Sequence, residues 1–209
     1  YNIINLYQKV TKMKKVLLLI LAIIVLPVVF IVLTNYNNIP KLDENVSEKW
    51  SQVQNQYKRR ADLIPNLIET VKAYASHEKT TFIEVTEARN KVSQININEN
   101  ISNNPQALQQ FANAQDGLSS ALSKLMVVVE RYPELKANEN FKALQSQLEG
   151  TENRITIARR DFIEAVKLYN LELRTIPGKF VAAVFHSEAK PKETFKASEA
   201  EQNAPKVQF

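Results

Sequence analysis

Val46-Ser-Glu-Lys-Trp50-Ser-Gln-Val53-Gln-Asn-Gln-Tyr57-Lys-Arg-Arg60-Ala-Asp-Leu-Ile64-Pro-Asn-Leu67-Ile-Glu-Thr-Val71-Lys-Ala-Tyr74 is the stretch on which the fold turns. Its apolar residues Val46, Trp50, Val53, Tyr57, Ala61, Ile64, Leu67, Val71 and Tyr74 return in steps of three and four. Such steps lay them along one stripe of a helix. A strand needs alternation with period two, and no segment of this chain sustains it. The stripe continues less regularly through Phe82, Val85, Ala88 and Val92. Pro65 lies within it. Proline lacks an N–H and its ring crowds the carbonyl of Ala61, so the helix is expected to kink or divide there. Asn66 is a candidate to bond the freed carbonyl, giving a fixed bend that fits the bundle.

Two further helical series follow. Residues 95–104 are Asn-rich and read as a loop, and Asn104-Pro105 supplies an N-cap with proline at the first helical position. The next stripe is Leu108, Phe111, Gln115, Leu118, Leu122, Leu125, Val129 and Tyr132, closed by Pro133. Asn138 can cap the last one, which runs from Phe141 through Leu148, Ile155, Phe162 and Tyr169 to Ile176, ahead of Pro177-Gly178. Short connections force antiparallel neighbours. The expected fold is therefore all-α: an antiparallel up-and-down bundle of three long helices, or four if the first splits at Pro65. Its expected extent is residues 43–187. From 188 to 209 the composition shifts to Lys, Pro, Glu, Ser, Ala, Gln and Asn, and a flexible tail is expected. Phe195 and Phe209 are the two residues in it with something to dock.

Ahead of the bundle, Val16 to Leu33 is an apolar run without a charge. Its 18 residues span about 27 Å as a helix, close to the hydrocarbon thickness of a bilayer. A transmembrane anchor over 13–36 is expected, with Pro27 a tolerated kink and Tyr36 at the interface. A cleaved signal peptide fits less well, because the run is long and Thr34-Asn-Tyr-Asn-Asn38 offers no small-x-small site. Met13-Lys-Lys reads as a natural start, so residues 1–12 are expected to be a non-native or disordered extension. Four lysines precede the run and only Lys41 follows it closely. The positive-inside bias then puts the N-terminus in the cytoplasm and the bundle outside, in the periplasm of a two-membrane bacterium.

The net charge of +5 has one source. Residues 1–42 carry five lysines and no acid, while the other 167 residues carry 22 basic and 22 acidic side chains. A nucleic-acid-binding domain carries its own basic surplus, so no nucleic acid is expected as a partner. There is no Cys, which excludes a lipid-modified cysteine, a thiolate nucleophile and any disulfide. Three glycines, Gly117, Gly150 and Gly178, cannot build a phosphate-cradling loop. His77 and His186 are the only histidines, and residue 81, where a helical zinc motif starting at His77 repeats its histidine, is Thr. No metal, no cofactor and no catalytic constellation are expected.

Several segments together resemble one family. They are Trp50-Ser-Gln-Val53, Lys58-Arg-Arg-Ala-Asp-Leu-Ile-Pro-Asn-Leu67, Thr70-Val-Lys-Ala-Tyr-Ala-Ser-His-Glu78, Val85-Thr-Glu-Ala-Arg89 and Val128-Val-Glu-Arg-Tyr-Pro-Glu-Leu-Lys-Ala-Asn138. Leu144-Gln145, Thr151-Glu-Asn-Arg-Ile155, Ala158-Arg-Arg160, Tyr169-Asn170 and the final Ala204-Pro-Lys-Val-Gln-Phe209 follow in order. In this the chain is similar to the LemA family of bacterial membrane proteins. The resemblance implies one N-terminal membrane helix and an antiparallel helical domain, and it implies no reaction. Where the family often reads Phe-Gly-Phe, this chain has Phe185-His-Ser187.

Polar residues that interrupt the stripes mark the candidate site: Arg59, Arg60, Asp62 and Asn66 on the first helix, and Glu152, Asn153, Arg154 and Arg159 on the last. Opposite charges on adjacent helices fix a bundle's register, and that reading is preferred. The alternative is an extracytoplasmic sensor gripping an anion through its arginines. The expected function is that of a membrane-anchored scaffold or interaction protein of the cell envelope. Its expected partners are the lipid bilayer, through Val16 to Leu33, and an envelope protein, with a homo-oligomer as a further option.

Overall fold

The computed structural model describes residues 2–95 and 101–195. Residues 96–100 of the Asn-rich segment and 196–209 of the expected tail lie outside the described residues. Among the described residues the chain is helical and contains no strand. The elements are α1 (Asn2–Tyr36), α2 (Asn38–Lys72), α3 (Lys79–Gln94), a 3-10 turn (Ile101–Asn103), α4 (Pro105–Val129), α5 (Pro133–Ala137), α6 (Glu139–Arg174) and α7 (Gly178–Phe185).

The apolar run sits in α1, which passes into α2 with only Asn37 between them. None of the apolar window is buried against the rest of the chain, unlike the core helix of a soluble domain. It is long and apolar enough to cross a membrane. α1 includes residues 2–12 ahead of the apolar run.

In the bundle α2 runs away from the anchor, α3 returns, α4 runs away again and α6 returns. Ten residues along α2, from Trp50 to Arg60, match ten residues back along α6, from Phe162 to Glu152: Trp50 stacks near Phe162 and Arg60 bonds Glu152. That in-register antiparallel pair is the spine, and α3 and α4 pack on it as a second pair. The two predicted caps form. Asn104 Oδ1 accepts from the Ala107 N–H at 3.1 Å, and Asn138 Oδ1 accepts from the Phe141 N–H at 2.9 Å.

Pro65 does not divide the helix. α2 runs through it to Lys72, and the break falls in the turn at 73–78. Four long helices result, with the division later than the proline suggested. Asn66 does not bond the Ala61 carbonyl either; its side chain is exposed. The carbonyl accepts from Arg89 Nε of α3 at 3.0 Å, so the orphan left by the proline ties two helices together.

The tail also differs from expectation over its first part. Residues 188–195 lie along the bundle. Asn170 clamps the backbone of Lys192, donating to its carbonyl and accepting from its N–H, both at 2.8 Å. Lys192 Nζ reaches Asp43 at 2.7 Å, and the Glu193 N–H bonds the Ser102 carbonyl. Phe195 then enters an aromatic cage of Trp50 and Phe162, at ring distances of 6.0 and 5.8 Å, under the Arg159 guanidinium. A composition poor in apolar residues still contains one that the core accepts.

Candidate functional site

The buried side chains form two apolar clusters, one around Trp50, Phe111 and Phe162 near the anchor, the other around Ile64, Leu118, Leu125 and Phe141 farther out. A polar layer separates them. On α2 the buried positions Val46, Trp50, Val53, Tyr57, Arg60, Ile64, Leu67 and Val71 follow one another in alternating steps of four and three, and Ile39 and Ile68 are buried beside them. Arg60, not Ala61, therefore takes the inward position. The α4 stripe puts Gln115 at the same level, and α6 contributes the buried Thr151 and the half-buried Glu152.

Within this layer both amino groups of Arg60 are engaged. Nη1 donates to Ser119 Oγ at 2.9 Å and to Glu152 Oε1 at 3.0 Å. Nη2 donates to the Gln115 carbonyl at 3.3 Å and to Gln115 Oε1. Burial of a guanidinium is tolerated only when its charge is paired and its hydrogens are used, and Glu152 supplies the charge. Arg60 Nε and Gln115 Nε2 stay without partners, so the layer is polar beyond what its own bonds satisfy. Tyr57 packs beneath the guanidinium at 5.0 Å. Burial pushes its phenol above the ordinary tyrosine range, opposed by the positive charges of Arg159 and Arg60. Burial also raises Tyr169, and the Asp43 charge adds to it.

Of the predicted set, the structure brings together Arg60 and Glu152. Arg59, Asp62, Asn66, Asn153 and Arg154 are exposed. Arg154 bonds Thr151 one turn away on its own helix, at 3.2 Å. Arg159 serves the Phe195 cage. Gln115 and Ser119 were missed as site residues, although a glutamine on an otherwise apolar stripe is a legible signal. Arg89 and Asn170 were missed too, because each acts on backbone far away in sequence.

No group of three or more metal-ligating side chains stands together among the described residues. His77 lies in the turn after α2, and His186 lies at the anchor end, where its Nε2 is 2.9 Å from the Tyr36 carbonyl. Beside the polar layer, α4 and α6 leave an open groove of about 280 Å³ lined by Ser119, Leu122, Met126, Leu148, Glu149 and Glu152.

Comparison with known proteins gives a match to the LemA family model over residues 49–209. The chain is also similar to the magnetosome proteins MamQ 2 and MamQ 1 of Paramagnetospirillum magneticum. Each is 24% identical over 168 residues, covering 73% of this chain and 62% of the relative. The magnetosome protein MamQ of Magnetospirillum gryphiswaldense is 24% identical over 185 residues, covering 79% of this chain and 68% of the relative. The chain thus spans less than two thirds of the length of the first two relatives.

Proposed function

The chain belongs to the LemA family, and on that footing we propose that it is a membrane-anchored scaffold whose helical bundle engages another envelope protein. It is a membrane-associated helical protein. The scaffold role and the absence of catalysis are our reading. One observation supports it: the charge of the buried Arg60 is spent on holding helices together, through Gln115, Ser119 and Glu152. A helix that runs from the apolar run into α2 then presents this rigid body at the membrane. The anion-sensing alternative has less support, since the most buried arginine already has acceptors within the chain.

We place the N-terminus in the cytoplasm and the bundle outside, from the lysines before Val16. The experiment is crosslinking in native membranes followed by mass spectrometry. A bundle that captures neither an envelope protein nor a second copy above background overturns the scaffold reading.

A further inference from the structure

The short helix α7 has an apolar face that nothing among the described residues covers. On it Phe180 and Val184, four residues apart, are 62% and 70% exposed, and Ile176 in the turn just before α7 is 74% exposed. The opposite face is fixed: Val181 is buried in the apolar cluster near the anchor. Gly178 approaches α6 so closely that a Cβ there would collide with the Glu172 carbonyl. At its end, Phe185 meets Tyr36 edge-on at 5.6 Å, and His186 bonds the Tyr36 carbonyl. The outward direction of Phe180 is therefore set by packing.

The height of this face follows from the α2–α6 register. As many residues separate Trp50 from Tyr36 as separate Phe162 from Ile176, which brings the turn after α6 near the level of Tyr36, and the contacts of Phe185 and His186 with Tyr36 hold the other end of α7 there. Tyr36 is three residues beyond Leu33, about 4.5 Å along the helix axis. The apolar face of α7 consequently lies where the membrane-spanning run ends. Arg174 and Lys179, both exposed, flank it. Apolar side chains at the acyl boundary with cations at headgroup level are the pattern of a helix lying in the bilayer interface.

We propose that α7 is a second membrane contact, with Ile176, Phe180 and Val184 seated at the headgroup–acyl boundary of the leaflet that faces the bundle. A single span leaves a bundle free to swivel and tilt. A second contact beside Tyr36 fixes which face of the bundle looks away from the membrane. The inference rests on the anchor reading of Val16–Leu33, and the experiment separates the two.

The chain has one tryptophan, Trp50, which is 1% exposed and serves as an internal reference. The full-length variants Phe180→Trp and Leu26→Trp are reconstituted in nanodiscs of phosphatidylcholine brominated near the start of its acyl chains. Bromine quenching and quenching by aqueous iodide are then measured. The expected result is that both added tryptophans lose most of their emission to bromine and little to iodide, while Trp50 is unaffected by either. Quenching of the Leu26→Trp variant alone, with iodide reaching the tryptophan at 180, overturns the inference and leaves the anchor standing. Loss of bromine quenching at both positions overturns the anchor itself. A tryptophan at 180 reached by neither quencher shows a second copy or another protein covering α7, and also overturns the lipid contact.

Discussion

Glu152→Gln tests the polar layer most directly. The substitution keeps volume and a carbonyl that can accept from Arg60 Nη1, so what it removes is the charge opposite a guanidinium. The Arg60 side chain is 2% exposed and that of Glu152 is 44% exposed. Removing one partner of a fully buried pair costs about 3–5 kcal/mol, and an exposed pair is worth about 0–1 kcal/mol. Water at the open side of Glu152 replaces part of the loss, so the expected cost is about 2–3 kcal/mol. For a domain of this size that lowers Tm by about 5–10 °C. The assay is thermal unfolding of the full chain in nanodiscs, followed by helical circular dichroism. The comparison variant is Arg60→Met combined with Gln115→Leu, which replaces the buried charge and its buried acceptor by apolar groups of similar volume. It is expected within about 1.5 kcal/mol of the parent. A Glu152→Gln chain that melts with the parent would falsify the claim that Glu152 holds the buried charge in check. A double variant that falls as far as Glu152→Gln refutes the reasoning from the other side.

Three further outcomes follow from the fold. Arg89→Ala leaves the Ala61 carbonyl without its donor and is expected to cost about 1–1.5 kcal/mol, but much less in a Pro65→Ala background, where residue 65 regains an N–H for that carbonyl; equal losses in the two backgrounds, in a double-mutant cycle of denaturant midpoints, rule out the tie. Phe195→Ala empties the aromatic cage at a cost of about 3 kcal/mol, and it should open the Lys192–Glu193 bond to trypsin, since Lys192 is buried in the parent, read by mass spectrometry; unchanged cleavage shows that the 188–195 segment holds without its phenylalanine. Tyr57 bears on alkaline stability. Its phenol is raised in the folded chain, so above the ordinary value near 10 the unfolded chain loses a proton that the folded chain keeps. Stability is then full below that pH and falls as pH rises through the raised value. Tyr57→Phe should flatten part of the fall, Tyr169 keeping the rest, and an unchanged slope of denaturant midpoint against pH contradicts the assignment.

The helices and the apolar span were legible because both are local properties of the chain. Steps of three and four report one face of a helix wherever that helix packs, and an uncharged run reports the bilayer without reference to any partner. The caps at Asn104 and Asn138 are equally local, each bonding an N–H three residues on. The phase of the first stripe was nearly legible. Strict alternation of four and three from Val46 lands on Arg60, but an arginine at an inward position looks wrong until its acceptors are known. Those acceptors are 55, 59 and 92 residues away in sequence.

Tertiary structure decided what distance in sequence conceals. Pro65 frees a carbonyl in any helix, yet only the return of α3 brings Arg89 to it and lets α2 continue to Lys72. A polar tail is expected to be flexible because it buries little surface, but one Phe195 suffices when Trp50 and Phe162 leave a cage for it and Asn170 holds the backbone. The exposure of Ile176, Phe180 and Val184 means little in the sequence, where they only close a stripe and open another. It acquires meaning from the register of α2 against α6 and the contacts of Phe185 and His186, which bring them near the level of Tyr36 at the end of the span. Periodicity says which face of a helix is apolar; only the packing of the other helices says what that face is left to meet.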